Sequence, residues 1–296
     1  MAGYLFVHFI GDFPDGEQVY FSRSRDGLHW QDLNGGQLVL RSTVGECGAR
    51  DPFVVRHPQT GKFYLMATDL CIANGKGWQI AQYGGSRDLL IWQSDDLLHW
   101  DGPRAVTLGV EGAGCVWAPE AIWDEAHGDF LVFWASMVQL PGDEAPKQRI
   151  YASHTADFVT FTAPQIYLQA ENHVIDMNIL HAQGYYYRFT KDETTKRIIM
   201  DRLAELDGTP EPVPSAALEA LEGVEGPECY PLPDGRYCLI VDRFAAGKGY
   251  LPMLCDDLAG GVFTPAEDYD LGATRKRHGG VLPLTDAEYA TLDALL

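Results

Sequence analysis

The chain contains five short apolar runs, each with a polar residue at or just before its start. These polar residues are Asp51, Glu120, Asp176, Glu225 and His278. After a short turn, the first four runs are each followed by an aromatic-rich segment that a glycine introduces, at Gly61, Gly128, Gly184 and Gly235. Short apolar runs bounded by turn residues are typical of buried strands. The pattern therefore predicts a pair of strands that recurs roughly every fifty to seventy residues.

A second hairpin recurs in the same order, and it ends on an acidic turn and an aromatic residue. The aromatic residues are Trp30, Trp100, Phe161 and Phe263. A repeat of this length suits the four-stranded blade that β-propellers arrange around a central channel. We expect these aromatic side chains to pack between neighbouring blades.

The two ends of the chain are expected to complete one blade together. The N-terminal segments YLFVHFIG and QVYFSRS predict strands without an inner strand, and the C-terminal RHGGVLPL is an inner strand without partners. The proline-rich stretch DGTPEPVPSAALEALEGVEG is interpreted as a connection between blades. The prediction is an all-β, five-bladed β-propeller that forms a single domain over residues 1–296, its ring closed by N-terminal strands pairing with the C-terminal strand.

Polar residues that are far apart in sequence should meet at the axis of such a ring, because the innermost strand of each blade begins there. We expect one mouth to be lined by Asp51, Glu120, Asp176, Glu225 and His278. Glu222 and Glu228 compete with Glu225, but alternation along a strand places Glu228 on the opposite face.

Composition narrows the classes of partner. The formal net charge is −20 and the pI is about 4.7. Nucleic acid and anionic membranes require a basic surface, so neither is expected as a partner. The six cysteines form no C-x-x-C pair, which favours free buried thiols. No signal peptide or run of transmembrane length is visible, and a cytoplasmic location is the expectation.

Hydrolysis of a glycosidic bond needs one carboxylic acid to protonate the leaving oxygen and one carboxylate to activate water or attack the anomeric carbon. A third carboxylate raises the pKa of the acid by like-charge repulsion. Asp51, Asp176 and Glu225 offer such a set. The segments NGKGW and AAGKGY lack the spacing of a phosphate-binding loop and are not expected to open a helix. Motifs of serine hydrolases and zinc peptidases are absent from the sequence.

The ordered segments RDPFVV, VWAPEAIW, VIDMNIL and VEGPECY resemble glycoside hydrolase family 43 over nearly the whole chain. The resemblance implies a five-bladed propeller and an inverting mechanism, with Asp51 as base, Asp176 as pKa modulator and Glu225 as acid. His278 matches a histidine that often lies near an axial metal ion or water, so a structural cation such as calcium is expected there, and no cofactor is needed for chemistry. Two positions depart from the common pattern: Glu120 replaces an aspartate, and Asp-Met replaces Asp-Pro.

Substrate contacts are predicted from position alone. Trp117 precedes the Ala-Pro pair and Trp78 lies in a glycine-rich loop, so both offer flat apolar surface to a sugar ring. Arg188 and Arg243 are placed to hydrogen-bond hydroxyl groups, and Glu120 is interpreted as a substrate-side or structural acid. Packing between blades or display at the surface is an alternative for each of them.

The resemblance points to an exo-acting α-L-arabinofuranosidase that releases terminal arabinose from small plant-derived oligosaccharides. A β-xylosidase or a β-D-galactofuranosidase is the alternative within the family. A carbohydrate-binding or protein-binding propeller without catalysis, and a retaining enzyme for another substrate such as a fructosyl sugar, are alternatives of other classes.

Overall fold

In this computed structural model, the described residues 3–296 contain twenty β-strands in five four-stranded antiparallel sheets. In chain order the strands are β1 (Gly3–His8), β2 (Tyr20–Ser24), β3 (Trp30–Asp32), β4 (Arg50–Arg56), β5 (Phe63–Thr68), β6 (Asp88–Ser94), β7 (Trp100–Thr107), β8 (Trp117–Asp124), β9 (Asp129–Val138), β10 (Lys147–Thr155), β11 (Gln165–Leu168), β12 (Val174–Ala182), β13 (Tyr185–Asp192), β14 (Arg197–Leu203), β15 (Glu211–Pro212), β16 (Glu225–Pro231), β17 (Tyr237–Asp242), β18 (Tyr250–Cys255), β19 (Thr264–Pro265) and β20 (Gly279–Leu284).

Each sheet is one blade of a five-bladed β-propeller, as predicted. Blade I combines β20 with β1–β3, and blades II to V follow in order as β4–β7, β8–β11, β12–β15 and β16–β19. The C-terminal β20 pairs with β1 in a register that runs from Gly3 opposite Leu284 to His8 opposite Gly279. The two ends of the chain therefore complete blade I together and close the ring.

The predicted strand pairs are the two innermost strands of blades II to V. Strands β5, β9, β13 and β17 contain the four aromatic-rich segments. All six residues of β5 are buried, and nine of the ten residues of β9 are. A strand in this layer has a neighbouring blade on each face, so it reads as a continuous apolar run rather than an alternating one.

Apolar cores fill the spaces between blades. Five clusters of buried side chains occur in the described chain, one for each pair of neighbouring blades. The outer aromatic residues belong to them: Trp100 of blade II, for example, meets Phe21 of blade I at a centroid distance of 6.0 Å. Such a pair contributes about 0.5–1.5 kcal/mol beyond its buried area. The expected packing of aromatics between blades is confirmed.

Three short helices occur outside the blades, the first two where a loop and a connection were predicted. They are α1 (Trp78–Tyr83), α2 (Ala216–Ala220) and α3 (Asp286–Thr291). The expectation that NGKGW does not open a helix is therefore wrong, because α1 begins directly after Gly77. Each helix spans fewer than two turns, which is too short for a periodic apolar stripe to appear in the sequence.

The cysteines are free and mostly buried. All six cysteines are free, and five of them are buried, whereas Cys47 is exposed. Free thiols were predicted, and burial holds for all but that one. Within residues 3–296, no helix has both the length and the apolar character needed to cross a membrane.

Candidate active site

Four innermost strands share a bulge near their first residues. In each, one residue takes a left-handed backbone conformation: Asp51 (φ 48°), Ala118 (φ 48°), Asp176 (φ 49°) and Gly226 (φ 53°). The strand register shifts at each of these positions. A left-handed residue other than glycine costs of order 1–3 kcal/mol and persists where the surrounding structure holds it. Bulges re-aim a side chain, so this repeated feature sets the direction of the axial residues.

When the inner strands are aligned at their bulged residues, the five polar residues predicted at the axis do not all occupy equivalent positions. Asp51, Asp176 and Gly226 are equivalent, whereas Glu225 precedes the bulged residue and Glu120 follows it by two positions. Two residues along a strand correspond to about 6.6 Å on the same face. Glu120 therefore lies deeper along the axis, is 4% exposed and does not line the cavity formed by the other acids. The expectation of four acids and a histidine at one mouth needs this correction.

A buried polar layer crosses the channel below that cavity. The Asn178 Nδ2 donates to Glu120 at 3.0 Å and to Glu228 at 2.6 Å, and Glu228 accepts from the Val281 N–H at 2.9 Å. The placement of Glu228 on the face away from the axis is wrong, because the bulge between Glu225 and Glu228 shifts the alternation. Burial raises the pKa of Glu228 to about 8, and burial beside Glu228 raises the pKa of Glu120 as well.

The remaining predicted axial residues converge as expected on a cavity of about 410 Å³. Its walls include Asp51, Asp176, Glu225, His278, Trp117 and Trp78. The volume falls within the range of small-ligand pockets. The cavity therefore combines three carboxyl groups with aromatic surface, which is the combination required to hold and cleave a glycoside.

Asp51 is held by a hydroxyl group with a defined orientation. The Ala118 N–H donates to Thr68 Oγ1 at 2.8 Å, and Thr68 Oγ1 donates to Asp51 Oδ2 at 2.9 Å. Because the hydroxyl already accepts the amide proton, its own hydrogen points to the carboxylate. His278 Nδ1 lies 3.5 Å from Asp51 Oδ1. The Asp51 carboxylate therefore faces the cavity with one oxygen anchored.

Asp176 occupies a more buried position beside the same histidine. Its Oδ2 accepts from the Gly226 N–H at 3.2 Å and lies 3.8 Å from His278 Nδ1. Burial raises the pKa of Asp176 to about 6, and the attraction of His278 and Lys191 opposes part of that rise. This carboxyl group therefore takes up a proton closer to neutral pH than an ordinary aspartate does.

Glu225 is paired with two cations. Lys191 Nζ lies 2.9 Å from Oε2 and Arg277 Nη2 lies 2.8 Å from Oε1. Burial alone would raise the pKa of Glu225, but Lys191 and Arg277 outweigh it and lower the pKa to about 2. Without a ligand, Glu225 is therefore ionised at neutral pH, and protonation requires that one of these ion pairs is weakened.

The two cations were not predicted from the sequence. Lys191 lies near the end of β13 in KDE, and Arg277 directly precedes His278 in RKRHGG. Arg277 also contacts Asp242 at 2.6 Å. A basic residue beside a predicted axial histidine was the available signal for Arg277. For Lys191 there was no such signal. It lies three positions after Arg188, so the two side chains point to opposite faces of the strand, and only the register decides which of them faces the axis.

Both the backbone conformation and the close approach of His278 require glycine at position 226. Its φ of 53° favours glycine, and a Cβ built there would lie 2.7 Å from the imidazole of His278. A contact below 3.0 Å forces the histidine to move. The Glu-Gly-Pro sequence therefore allows His278 to pack against the backbone between Asp51 and Asp176.

The aromatic wall is formed by Trp78 and Trp117, both as predicted. Their rings meet edge to face at a centroid distance of 6.2 Å. The guanidinium of Arg50 lies 5.1 Å from the Trp78 ring centroid, although 49% of Trp78 remains exposed. The exposed indole stands at the mouth, where a sugar ring can pack on its face.

The predicted arginine contacts lie elsewhere. Arg188 pairs through Nε and Nη2 with both oxygens of Asp201 at 2.7 Å and lines a different cavity. Arg243 donates to the backbone oxygens of Gly249 and Tyr250. Neither lines the axial cavity. Both side chains bind within their own hairpins, which corrects the expectation that they contact substrate.

An axial calcium ion would have to be held by the residues around His278. Calcium takes six to eight oxygen ligands. Across residues 3–296, no set of three histidine, cysteine or carboxylate ligand atoms around His278 is close enough to hold one ion. The side chains present do not form a calcium cage, and the axial cation stays a prediction.

A five-bladed propeller with three carboxyl groups at one axial mouth defines a class of glycoside-cleaving domains, and the family comparison agrees. The model of a "probable glycosyl hydrolase domain" related to glycoside hydrolase family 43 matches residues 1–290. The chain belongs to this family, as the resemblance of its motifs implied.

Three relatives define the similarity. The α-L-arabinofuranosidase of Bifidobacterium longum subsp. longum is 32% identical over 291 residues, which cover 82% of this chain and 27% of that protein. The chain therefore spans about a quarter of the length of this curated relative. A thermostable family-43 glycoside hydrolase aligns with a TM-score of 0.57 and 19% identity, over 80% of this chain and 77% of its own. A family-43 β-1,3-galactosidase solved with galactodeoxynojirimycin aligns with a TM-score of 0.59 and 14% identity, over 93% and 91%.

Proposed function

We propose that this domain hydrolyses a terminal glycosidic bond with inversion at the anomeric carbon and that its substrate is an α-L-arabinofuranoside. The observation that carries the proposal is the convergence of Asp51, Asp176 and Glu225 on one cavity with an aromatic wall. A binding module would need the aromatic surface but not three carboxyl groups with different environments.

Asp51 is the general base in this proposal. An inverting hydrolase places a water between its base and the anomeric carbon. The Thr68 hydroxyl anchors one oxygen of Asp51, which leaves the other oxygen to accept a proton from that water. His278 Nδ1 lies 3.5 Å from that second oxygen.

Glu225 is the general acid, and Asp176 adjusts its proton affinity. The negative charge of Glu225 and Asp51 contributes to the raised pKa of Asp176, and this repulsion is reciprocal. Two cations oppose protonation of Glu225 in the free domain. A sugar whose leaving oxygen enters between Glu225 and Arg277 weakens that ion pair, and we propose that this contact couples substrate binding to protonation of the acid.

The exo mode follows from the depth of the cavity. Asn178 and Glu228 line a second cavity on the far side of the channel and not the axial one. The hydrogen-bonded layer of Glu120, Asn178 and Glu228 therefore bounds the axial cavity from below. A pocket with a floor accepts the end of an oligosaccharide rather than its middle, so a single terminal residue is the expected product.

The choice of sugar rests on the sequence relative. The Bifidobacterium protein is named an arabinofuranosidase at 32% identity, whereas the structural neighbour named a galactosidase shares only the fold at 14% identity. The test is a panel of 4-nitrophenyl α-L-arabinofuranoside, β-D-xyloside and β-D-galactofuranoside. We expect the first to be cleaved fastest. Proton NMR of the first-formed sugar should show the inverted anomer.

The outcomes of this panel separate the parts of the proposal. Faster cleavage of the xyloside or galactofuranoside would replace the sugar and keep the reaction. A first-formed product with retained configuration would overturn inversion. No cleavage of the panel or of arabino-oligosaccharides would favour the non-catalytic binder.

Lys191→Met is expected to shift the basic limb of the kcat pH profile, which reports the acid in the substrate complex, to higher pH. Lys191 and Arg277 lower the pKa of Glu225, and a neighbouring cation typically lowers a carboxyl pKa by about 1–3 units. Without Lys191 the acid keeps its proton to higher pH, so the limb should move in that direction by about one unit or more. Lys191→Arg retains the charge and should leave the limb in place. A shift to lower pH in the methionine variant would contradict Glu225 as the acid.

A further inference from the structure

Asp242 is a buried acid beside the candidate active site that the proposed mechanism does not use. It ends β17 and lies opposite Glu225 in the strand register. Its side chain is fully buried and does not line the axial cavity. Arg277 links the two acids, with Nε 2.6 Å from Asp242 Oδ2 and Nη2 2.8 Å from Glu225 Oε1. The guanidinium therefore bridges a residue of the proposed mechanism and a buried carboxylate outside it.

One oxygen of Asp242 is left without a partner. Within residues 3–296, Asp242 Oδ1 is buried and accepts no hydrogen bond. A charged acceptor that leaves water without a replacement partner costs free energy, and such atoms are rare in folded proteins. Asp242 therefore has room for one more hydrogen bond from a donor that can reach it.

The chain itself shows how an arginine satisfies both oxygens of an aspartate. Arg188 donates from Nε and Nη2 to the two oxygens of Asp201, each at 2.7 Å. Arg277 uses the same two donors, but it divides them between Asp242 and Glu225. Two parallel hydrogen bonds to one carboxylate form a strong and specific pair. The charge of Glu225 therefore holds the bridge, and loss of that charge favours the bidentate pair with Asp242.

The second cation beside Glu225 also has a further carboxylate partner. Lys191 Nζ lies 2.7 Å from Glu193 Oε2 as well as 2.9 Å from Glu225 Oε2. Once Glu225 is neutral, each of the two cations therefore keeps an ion pair with another carboxylate. An uncompensated buried charge is costly. This balance makes the protonated acid accessible in a site that contains both cations.

Asp242 is an anion at neutral pH despite its burial. Burial raises its pKa to about 6, and Arg277 opposes part of that rise. Arg277 contacts both acids, so it is the group through which one acid responds to the charge of the other. The charged and titratable groups that act on the two acids are Asp176 of β12, Lys191 of β13, Tyr250 of β18, and Arg277 and His278 before β20.

We propose that Asp242 is a positioning residue that takes over the guanidinium of Arg277 when Glu225 binds a proton from solvent. Nη2 moves from Glu225 Oε1 to Asp242 Oδ1, while Nε stays on Oδ2. The only bond made is the O–H bond of Glu225, and its proton goes to the leaving oxygen during cleavage. This inference rests on the proposed role of Glu225 as general acid. The leaving oxygen occupies the position that Nη2 vacates, so the acid can be ionised in the free domain and protonated in the substrate complex.

The direct test is a crystal structure of Glu225→Gln, in which the amide stands for the neutral acid. We expect Arg277 to contact both oxygens of Asp242 through Nε and Nη2. A guanidinium that still bridges position 225 and Asp242 would overturn the proposal. This measurement needs no activity, so it remains decisive if the domain cleaves no glycoside.

The functional test is the pH profile of kcat, whose basic limb reports the acid in the substrate complex. In Asp242→Asn, no second anion competes for the guanidinium, so Arg277 stays on Glu225 and lowers its pKa. The limb should move to lower pH by about one unit or more, opposite in direction to the shift expected for Lys191→Met. The control is Asp201→Asn, which removes the carboxylate paired with Arg188 outside the axial cavity and should leave the limb in place.

The position of the limb separates a positioning role from a structural one. A lower rate at every pH with an unmoved limb would show a structural role only and would overturn the proposal, as would a shift to higher pH. Unfolding temperatures show that each variant is folded at the assay temperature. If the structure shows the exchange but Glu225→Gln keeps its activity on poor leaving groups, the exchange at Arg277 stands and the proposed role of Glu225 fails.

Discussion

Asp51→Asn is expected to lower kcat/KM on the preferred glycoside by about 10²–10⁴-fold, because an amide cannot accept a proton from water. The amide oxygen can still accept the Thr68 hydroxyl, so the geometry at the anchor is kept. The measurement is steady-state hydrolysis of the best 4-nitrophenyl glycoside. The control is Asp69→Asn. Asp69 directly follows β5, the strand that pairs with β4, and it is buried but does not line the cavity. This variant should retain most of the activity.

A base and a structural aspartate can be told apart by chemical rescue. Asp51→Ala leaves space beside the anomeric carbon, and alanine tolerates the left-handed conformation, as Ala118 shows in the neighbouring blade. Azide should restore part of the rate and yield a glycosyl azide of inverted configuration. Activity of Asp51→Asn within a few-fold of the wild type would contradict the role of Asp51.

Glu225→Gln is expected to lower kcat by about 10²–10⁴-fold on glycosides with poor leaving groups, because the leaving oxygen then receives no proton. The loss should be small on a 2,4-dinitrophenyl glycoside, whose leaving group departs without protonation. A plot of rate against leaving-group pKa therefore becomes steep in this variant. Glu222→Gln, which replaces an exposed glutamate paired with Arg197, is the matched control and should keep the wild-type slope.

The same plot tests whether Asp176, rather than Glu225, is the general acid. Burial raises the pKa of Asp176 to about 6, whereas Lys191 and Arg277 outweigh burial and lower the pKa of Glu225 to about 2. If the steep dependence on leaving group appears in Asp176→Asn and not in Glu225→Gln, Asp176 is the acid and the two roles exchange. If Asp176→Asn lowers activity equally on all leaving groups, it acts through Glu225, as proposed.

The architecture was largely predictable from the sequence. Buried strands in a propeller form continuous apolar runs, and four of the five blades end on an aromatic such as Trp30 or Trp100 that fills the space beside the neighbouring blade. The incomplete first and last strands indicated the closure through β20 and β1. These signals are local in sequence and recur in each blade, so they can be recognised without knowledge of the tertiary contacts. The short helices do not repeat, and α1 was missed.

The polar residues of the site were predicted less completely. Asp51, Asp176, Glu225 and His278 were found, because each stands at the start of an inner strand. Glu120 was aligned with them by its polarity, yet the structurally equivalent residue is Ala118. A bulge inserts one residue into a strand, and the position of that residue depends on pairing with the next strand.

Sequence alone determined the number of blades, the closure of the ring and the inner strands, since these follow from apolar runs and their spacing. It predicted four acids and a histidine at one mouth, of which three acids and the histidine line the axial cavity. Tertiary structure decided which side chains share the axis. On β13 a spacing of three positions puts Arg188 and Lys191 on opposite faces, so Lys191 meets Glu225 while Arg188 pairs with Asp201. Side chains alternate with a period of two, and one bulged residue inverts that alternation. Charge pairing between strands of different blades is therefore set by register, which only the folded ring defines.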